Sequence, residues 1–197
     1  PLFSFTALLP WQLFAKALSD AGQSMVKNRT MITKIYFPRL VIPISSVLSG
    51  LVDFLIAFVI LLSMMVYFGV SPSQSIWTLP LFLFLALVTA LGVGLWFSAL
   101  NVQFRDIGYI LPYLTQVWLY ITPVAYSSQY ISDKWQIIYA LNPMAGVVQG
   151  FRWALLGTEL GANAGLTLLV SAVISIFILI SGLFYFRRME RTFADLV

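Results

Sequence analysis

The sequence predicts an all-α polytopic membrane protein, and three observations carry that reading. Apolar residues make up 60% of the chain and charged residues 9%, where a soluble domain would be roughly a quarter charged. Five runs approach the roughly 20 apolar residues that cross about 30 Å of hydrocarbon as a helix. The basic residues fall between alternate runs, the pattern that orients a membrane protein.

The runs lie at about 2–25, 41–68, 79–101, 107–126 and 164–186. The first is interrupted by Pro10, Lys16 and Asp20. Between the second and third, "GVSPSQSIWT" (69–78) reads as a turn, and "NVQFRD" (101–106) is a short charged link. The segment 26–40 holds Lys27, Arg29, Lys34 and Arg39, the link holds Arg105, and the tail holds Arg187, Arg188 and Arg191. Five spans put these eight basic residues on one side, against Lys134 and Arg152 on the other. The richer side is the cytoplasm, so the C-terminus is expected there. The chain opens on Pro1 inside an apolar run, without Met or a basic leader. We read it as a fragment, with one further span expected upstream and six in all.

The segment "LNPMAGVVQGFRWALLG" (141–157) is too apolar for a solvated loop and too short to cross a bilayer. Asp133 suits a helix N-cap, and Asn142-Pro143 gives a second N-cap followed by proline at the first helical position. Gly157 suits the stop. Two short helices, about 134–141 and 143–156, hinge at Asn142. A re-entrant hairpin over 133–157, dipping in from outside, satisfies the rule that irregular backbone at membrane depth is buried or wet. The alternative is an amphipathic helix lying on the outer surface.

Several chemistries are excluded or unsupported. With no cysteine and no histidine, disulfides and the usual zinc and haem ligands are absent, and no metal site is expected. No phosphate-binding G-x-x-x-x-G-K-[ST] loop occurs, since "GVG" at 92–94 lacks the lysine and the spacing. No nucleophile–base constellation or catalytic carboxylate pair stands out. A non-catalytic subunit that binds no cofactor of its own is expected.

The polar residues inside the spans are the candidate functional groups. Tyr109, Tyr113, Gln116 and Tyr120 recur at i, i+4, i+7 and i+11, on one helical face. Tyrosine rings pack against sugar C–H surfaces, and hydroxyls and an amide exchange hydrogen bonds, so the stripe suits a lumen that passes carbohydrate. An interfacial aromatic belt is the alternative, but it does not account for mid-span Tyr113 and Gln116. Asp53 stands mid-span, where an acid costs about 2.5–3.5 kcal/mol and should face protein or water. Ser46, Gly50 and Ala57 share its face, a small-residue surface suited to close packing. Lys16 reaches a similar depth in the first run, so a buried Lys16–Asp53 pair is expected, with a protonated Asp53 bonded to hydroxyls as the alternative. Ala90, Gly94 and Ser98 form a small-residue run that reads as packing alone.

The stretch 27–40 joins the first two runs and combines Lys27, Arg29 and Lys34 with Met31, Ile32, Ile35, Tyr36 and Phe37. Helical spacing of Met31, Ile32, Ile35 and Tyr36 predicts a short amphipathic helix along the membrane surface, ended before Pro38. Its apolar residues would enter a groove on a partner, with the charges at a polar rim.

Four stretches together carry a family resemblance: "ITKIYFPRLVIPISSVLSGLVDFLIAFVI" (32–60), "FSALNVQFRDIGYILPYLTQVWLYITPVAY" (97–126), "LNPMAGVVQGFRWALLG" and "FYFRRMERTFADLV" (184–197). They resemble the membrane subunit of ABC-2-type polysaccharide exporters, the O-antigen and related surface-polysaccharide permeases. The resemblance covers the whole chain, but lacks the amphipathic cytoplasmic helix and first span that open such proteins. It implies a half-channel in the bacterial inner membrane that pairs with a second copy of itself. ATP and magnesium would be handled by a separate ATPase subunit, docked against the 27–40 coupling loop. Lipid-linked polysaccharide and membrane lipid are the other implied partners, and nucleic acid is not one. The hairpin would be a gate at the outer mouth, with Asn142 and Pro143 at its hinge. Gln149 and Arg152, three residues apart, would share one face toward sugar hydroxyls or lipid phosphate. Alternatively, Arg152 snorkels to the outer headgroups. A same-fold permease for a small hydrophobic drug or lipid, and an ion-coupled secondary transporter, are the competing functions. The latter lacks an inverted repeat or a chain of titratable groups.

Overall fold

A computed structural model describes residues 1–34, 37–104, 106–124, 139–158 and 164–190. Those residues form seven α-helices and one 3₁₀ helix, in the order α1 Leu2–Lys27, α2 Arg29–Lys34, α3 Val41–Tyr67, the 3₁₀ helix Gln74–Thr78, α4 Leu79–Gln103, α5 Ile107–Ile121, α6 Pro143–Leu156 and α7 Ala164–Glu190. No strand is present among them.

Three stretches, Val41–Tyr67, Gln74–Gln103 and Gly165–Glu190, are long and apolar enough to cross a membrane. The 26-residue α1 has the length but carries Gln12, Lys16, Ser19, Asp20 and Gln23 on its body. It is nevertheless the hub, packing on α3, α4, α5 and α6. Its Ala7, Phe14, Ala17, Leu18 and Ala21 are fully buried in the main core. Small residues let the neighbours approach: a methyl built on Gly94 of α4 would fall 2.7 Å from Ala21 Cβ, and one on Gly50 of α3 would fall 3.3 Å from Leu13. The small-residue run of α4 thus packs on α1.

On its other side α4 lies against α7, backbone to backbone. A methyl on Gly92 would sit 2.7 Å from the Leu179 nitrogen. Thr89 donates to Ser175 Oγ at 2.9 Å, Trp96 donates to Ser181 at 3.1 Å, and the Trp96 and Tyr185 rings stack 4.2 Å apart.

Two boundaries differ from those read in the sequence. Segment 69–78 holds a 3₁₀ helix, begun by Ser73, whose hydroxyl accepts from the Ser75 N–H. The fourth run does not continue as one helix to 126. After Ile121, Thr122 is extended (ψ 136°) because the residue before Pro123 is driven out of the helical region. The resulting 15-residue helix is about 22 Å long, short of the hydrocarbon thickness on its own. Residues 125 and 126, and the proposed first arm of the hairpin up to 138, lie outside the described residues.

Candidate functional site

α5 lies at the periphery of the helical body. It rests on α1 and α4 through Leu111, its one fully buried residue, which meets Gly22, and through Trp118, edge-on to Phe14 at 5.1 Å. Asn101 of α4 seats its beginning, accepting from the Gly108 N–H at 3.0 Å and donating to the Gly22 carbonyl at 3.1 Å. The remaining faces are open. Tyr109, Tyr113 and Tyr120 are 78%, 73% and 73% exposed, and Gln116 is exposed between them. Ile110, Val117 and Ile121 are also exposed and border, with Tyr113 and Asn142, an apolar groove of about 570 Å³. The tyrosine stripe therefore lies on an exposed face of this chain.

The contacts of α5 with α1 are antiparallel along their whole length: Gly22 with Leu111, Phe14 with Trp118, and Phe3 with the Pro123–Val124 turn through Arg152. This register sets Lys16 at the level of Gln116. Lys16 bonds Asp53 of α3. The pair that the sequence predicted as buried is on the surface of the chain, with its side chains 50% and 55% exposed. The reason is geometric: Gly50, not Asp53, is the residue of the small face that turns fully into α1, leaving Asp53 at the rim. Gln12, Gly50 and Ala57 help line the groove of about 370 Å³ around the pair.

At the far end of α5, α6 is bolted on twice. Asn142 caps α6, its Oδ1 accepting from Met144 N–H at 3.1 Å and from the Trp118 indole at 3.0 Å, while its Nδ2 donates to Thr122 Oγ1 at 2.9 Å. Pro143 fills the first helical position, where no N–H is needed, and Gly157 ends the helix at φ +63°. Ten residues on, the Arg152 guanidinium donates to the carbonyls of Pro123 and Val124 at 2.7 and 2.6 Å and to Phe3 O at 3.4 Å, with the Phe3 ring 3.7 Å from its carbon. The Pro123 and Val124 carbonyls are available because α5 has ended. Gln149 and Arg152 do not share an open face: Gln149 is half-buried and Arg152 is 3% exposed. The rest of α6 is sunk into the core, with Gly150 admitting the Phe82 ring.

At the opposite end α1 stops at Lys27, Asn28 breaks it, and α2 covers Arg29–Lys34. Lys27, Arg29, Met31 and Lys34 are exposed, whereas Ile32 is 8% exposed and packs with Met25, Ile42 and Phe186. Phe37 packs against the same cluster. The apolar residues of this loop thus divide: Ile32 and Phe37 hold it to the helical body, and Met31 is presented outward. Ile35 and Tyr36 lie outside the described residues. Arg39 donates to the Glu190 carbonyl, tying the entry of α3 to the end of α7.

The comparisons with known proteins decide the family. The ABC-2 type transporter family matches residues 3–156, more than three quarters of the chain. This chain belongs to the ABC-2 type transporters. Among curated proteins, an O-antigen export system permease protein RfbA of Klebsiella pneumoniae is 32% identical over 200 residues, covering 100% of this chain and 75% of the relative. A second RfbA of that organism is 29% identical over 197 residues, with the same coverage of both chains. The RfbA of Myxococcus xanthus is 29% identical over 154 residues, 77% of this chain and 59% of the relative. The ABC-2 match spans α1 to α6 and so includes the tyrosine stripe, the Lys16–Asp53 pair and the Asn142 and Arg152 contacts. Trp118, Thr122 and the Pro123–Val124 carbonyls were not singled out from sequence. Thr122-Pro123 beside an apolar run was the available signal, since it announces a helix end with carbonyls to satisfy.

Proposed function

We propose that this chain forms half of the transmembrane path of an ATP-driven exporter of lipid-linked surface polysaccharide in a bacterial inner membrane. The observation that carries the reading is the tyrosine stripe of α5, exposed on a chain whose relatives are named O-antigen export permeases. Three aromatic faces and one amide along a membrane helix offer a hydroxylated polymer stacking and exchangeable hydrogen bonds without a tight grip. A second copy of the chain closes the path, with α1, α3, α4 and α7 spanning the bilayer, α5 crossing it together with the Thr122–Val124 turn, and the hairpin forming the outer gate. The basic 27–40 stretch, Arg105 and the tail face the cytoplasm, where α2 and its exposed Met31 meet the ATPase.

The test is the double variant Tyr113→Ala/Tyr120→Ala. Surface polysaccharide is expected to fall severalfold while membrane insertion and dimer assembly are unchanged. Normal surface polysaccharide would remove the stripe from the path. The apolar groove bordered by Ile110 and Val117 supports a second reading, a permease for a small hydrophobic molecule; that reading predicts loss of drug resistance rather than of surface glycan on filling the groove by Val117→Trp.

A further inference from the structure

The hub helix α1 has an open side as well as a buried one, and from Gln12 to Gln23 the open side is polar. Ser4, Gln12, Lys16, Ser19 and Gln23 fall within about a third of the helical circumference and are exposed or half-buried. From Gln12 to Gln23 they span about 17 Å, roughly half the thickness of a bilayer core, and toward Ser4 the half-buried Phe5 and Leu8 share the face. The opposite side holds Phe14, Ala17, Leu18 and Ala21, all fully buried. The amphipathicity is that of a globular surface helix, yet the helix is packed among stretches apolar enough to span a membrane.

Lipid cannot cover such a side, because each polar group would lose its hydrogen-bonding water and the Lys16–Asp53 pair would sit in hydrocarbon half exposed. A protein cover would need a matching partner for every group along the stripe, since a partly satisfied polar network is worse than an apolar one. Water satisfies all of them. The groups are also linked as a hydrated surface would be: Gln23 donates to Ser19 at 3.4 Å, and Lys27 lies 3.8 Å from Asp20. The antiparallel register sets Lys16 level with Gln116, Gln12 level with Tyr120 and Ser19 level with Tyr113.

We propose that the polar stripe of α1, with Asp53 of α3, is a second, water-lined wall of the translocation path, alongside the tyrosines of α5. This rests on the export reading above for its substrate, a polyhydroxylated chain, but not for its wetness. Lys16 and Asp53 neutralise each other across the wall, so it offers hydrogen bonds at mid-depth without a net charge that would hold a passing chain.

Residues 1–197 hold no cysteine, so each introduced thiol is the only one among them, and the parent protein treated in parallel gives the labelling background. Gln12→Cys, Ser19→Cys and, as lipid-facing control, Val59→Cys on the exposed side of α3 are placed in the full-length protein in membrane vesicles. They are treated with a membrane-impermeant trimethylammonium methanethiosulfonate. Both stripe positions are expected to react roughly tenfold or more faster than Val59→Cys, because the reacting thiolate forms only in water. Equal rates at the two stripe positions and the control would overturn the wet wall, whatever the substrate. Export is measured before and after modification. A loss of surface polysaccharide on modification supports the substrate role, and fast labelling with undiminished export overturns that role alone.

Discussion

Trp118 donates its indole N–H to Asn142 Oδ1, 3.0 Å away, the same oxygen that caps α6. One amide thereby serves a helix start and the helix beside it, and its Nδ2 reaches Thr122 where α5 ends. Removing it by Asn142→Ala leaves three groups to find other partners and is expected to destabilise the protein by about 1–2 kcal/mol. Asn142→Asp keeps both acceptances and should be milder. Trp118→Phe removes the donor and retains the ring against Phe14, so the double variant with Asn142→Ala should be less than additive by about 0.5–1.5 kcal/mol. Unfolding of the detergent-solubilised protein measures all three, and strict additivity would disprove the coupling.

From the core side of α6, Arg152 makes two short bonds to the Pro123 and Val124 carbonyls and a longer one to Phe3 O. Arg152→Ala is expected to cost more than Asn142→Ala, about 3–5 kcal/mol, since two charged hydrogen bonds and the packing on Phe3 go together. Arg152→Lys, a single-point donor, should recover less than half of the loss. Gln149→Ala, one turn earlier and half-buried, should change stability by under about 0.5 kcal/mol. If Arg152→Ala and Gln149→Ala unfold at the same temperature, the bolt is not structural.

For the Lys16–Asp53 pair, the informative comparison is a charge swap. Asp53→Lys sets two cations side by side at mid-depth, and the yield of assembled protein should drop. Adding Lys16→Asp restores opposite charges and should restore assembly to most of the native level. Recovery of monodisperse protein after solubilisation is the readout, and no rescue would sever the pair from assembly.

The short helix α2 separates two roles that adjacent residues perform. Ile32→Asp buries a charge among Met25, Ile42 and Phe186 and should lower the amount of folded permease itself. Met31→Asp, on the exposed side, should leave folding intact and weaken capture of the ATPase subunit by the tagged permease at least severalfold. Capture unaffected by Met31→Asp would place the docking surface elsewhere.

The parts legible in the sequence were those written in local chemistry. Asn142-Pro143 and Gly157 bound α6 because capping and stopping are decided within a few residues. The small run of Ala90, Gly94 and Ser98 marks a packing face for the same local reason. The depth of Lys16 and Asp53 predicted their meeting but not their exposure, which depends on how Gly50 rotates α3 against α1. Arg152 was misread because its partners, the carbonyls after Ile121, exist only once Thr122-Pro123 has ended α5 and folding has brought that end to α6. The polar side of α1 was present in the spacing of Ser4, Gln12, Lys16, Ser19 and Gln23, but three interruptions in an apolar run looked like weakness of a span rather than a second surface.

The Gly92 contact has a mechanical corollary. Where two helices meet through side chains, rotamer changes let them slip by a turn; where they meet spine to spine, as α4 and α7 do, nothing soft lies between them. The Thr89–Ser175 and Trp96–Ser181 ties act on either side of that point like dowels. α4 and α7 therefore form the fixed chassis of the molecule. Relative motion of the helices is expected at breaks in regular helix, such as those at Asn28 and Thr122, rather than between α4 and α7.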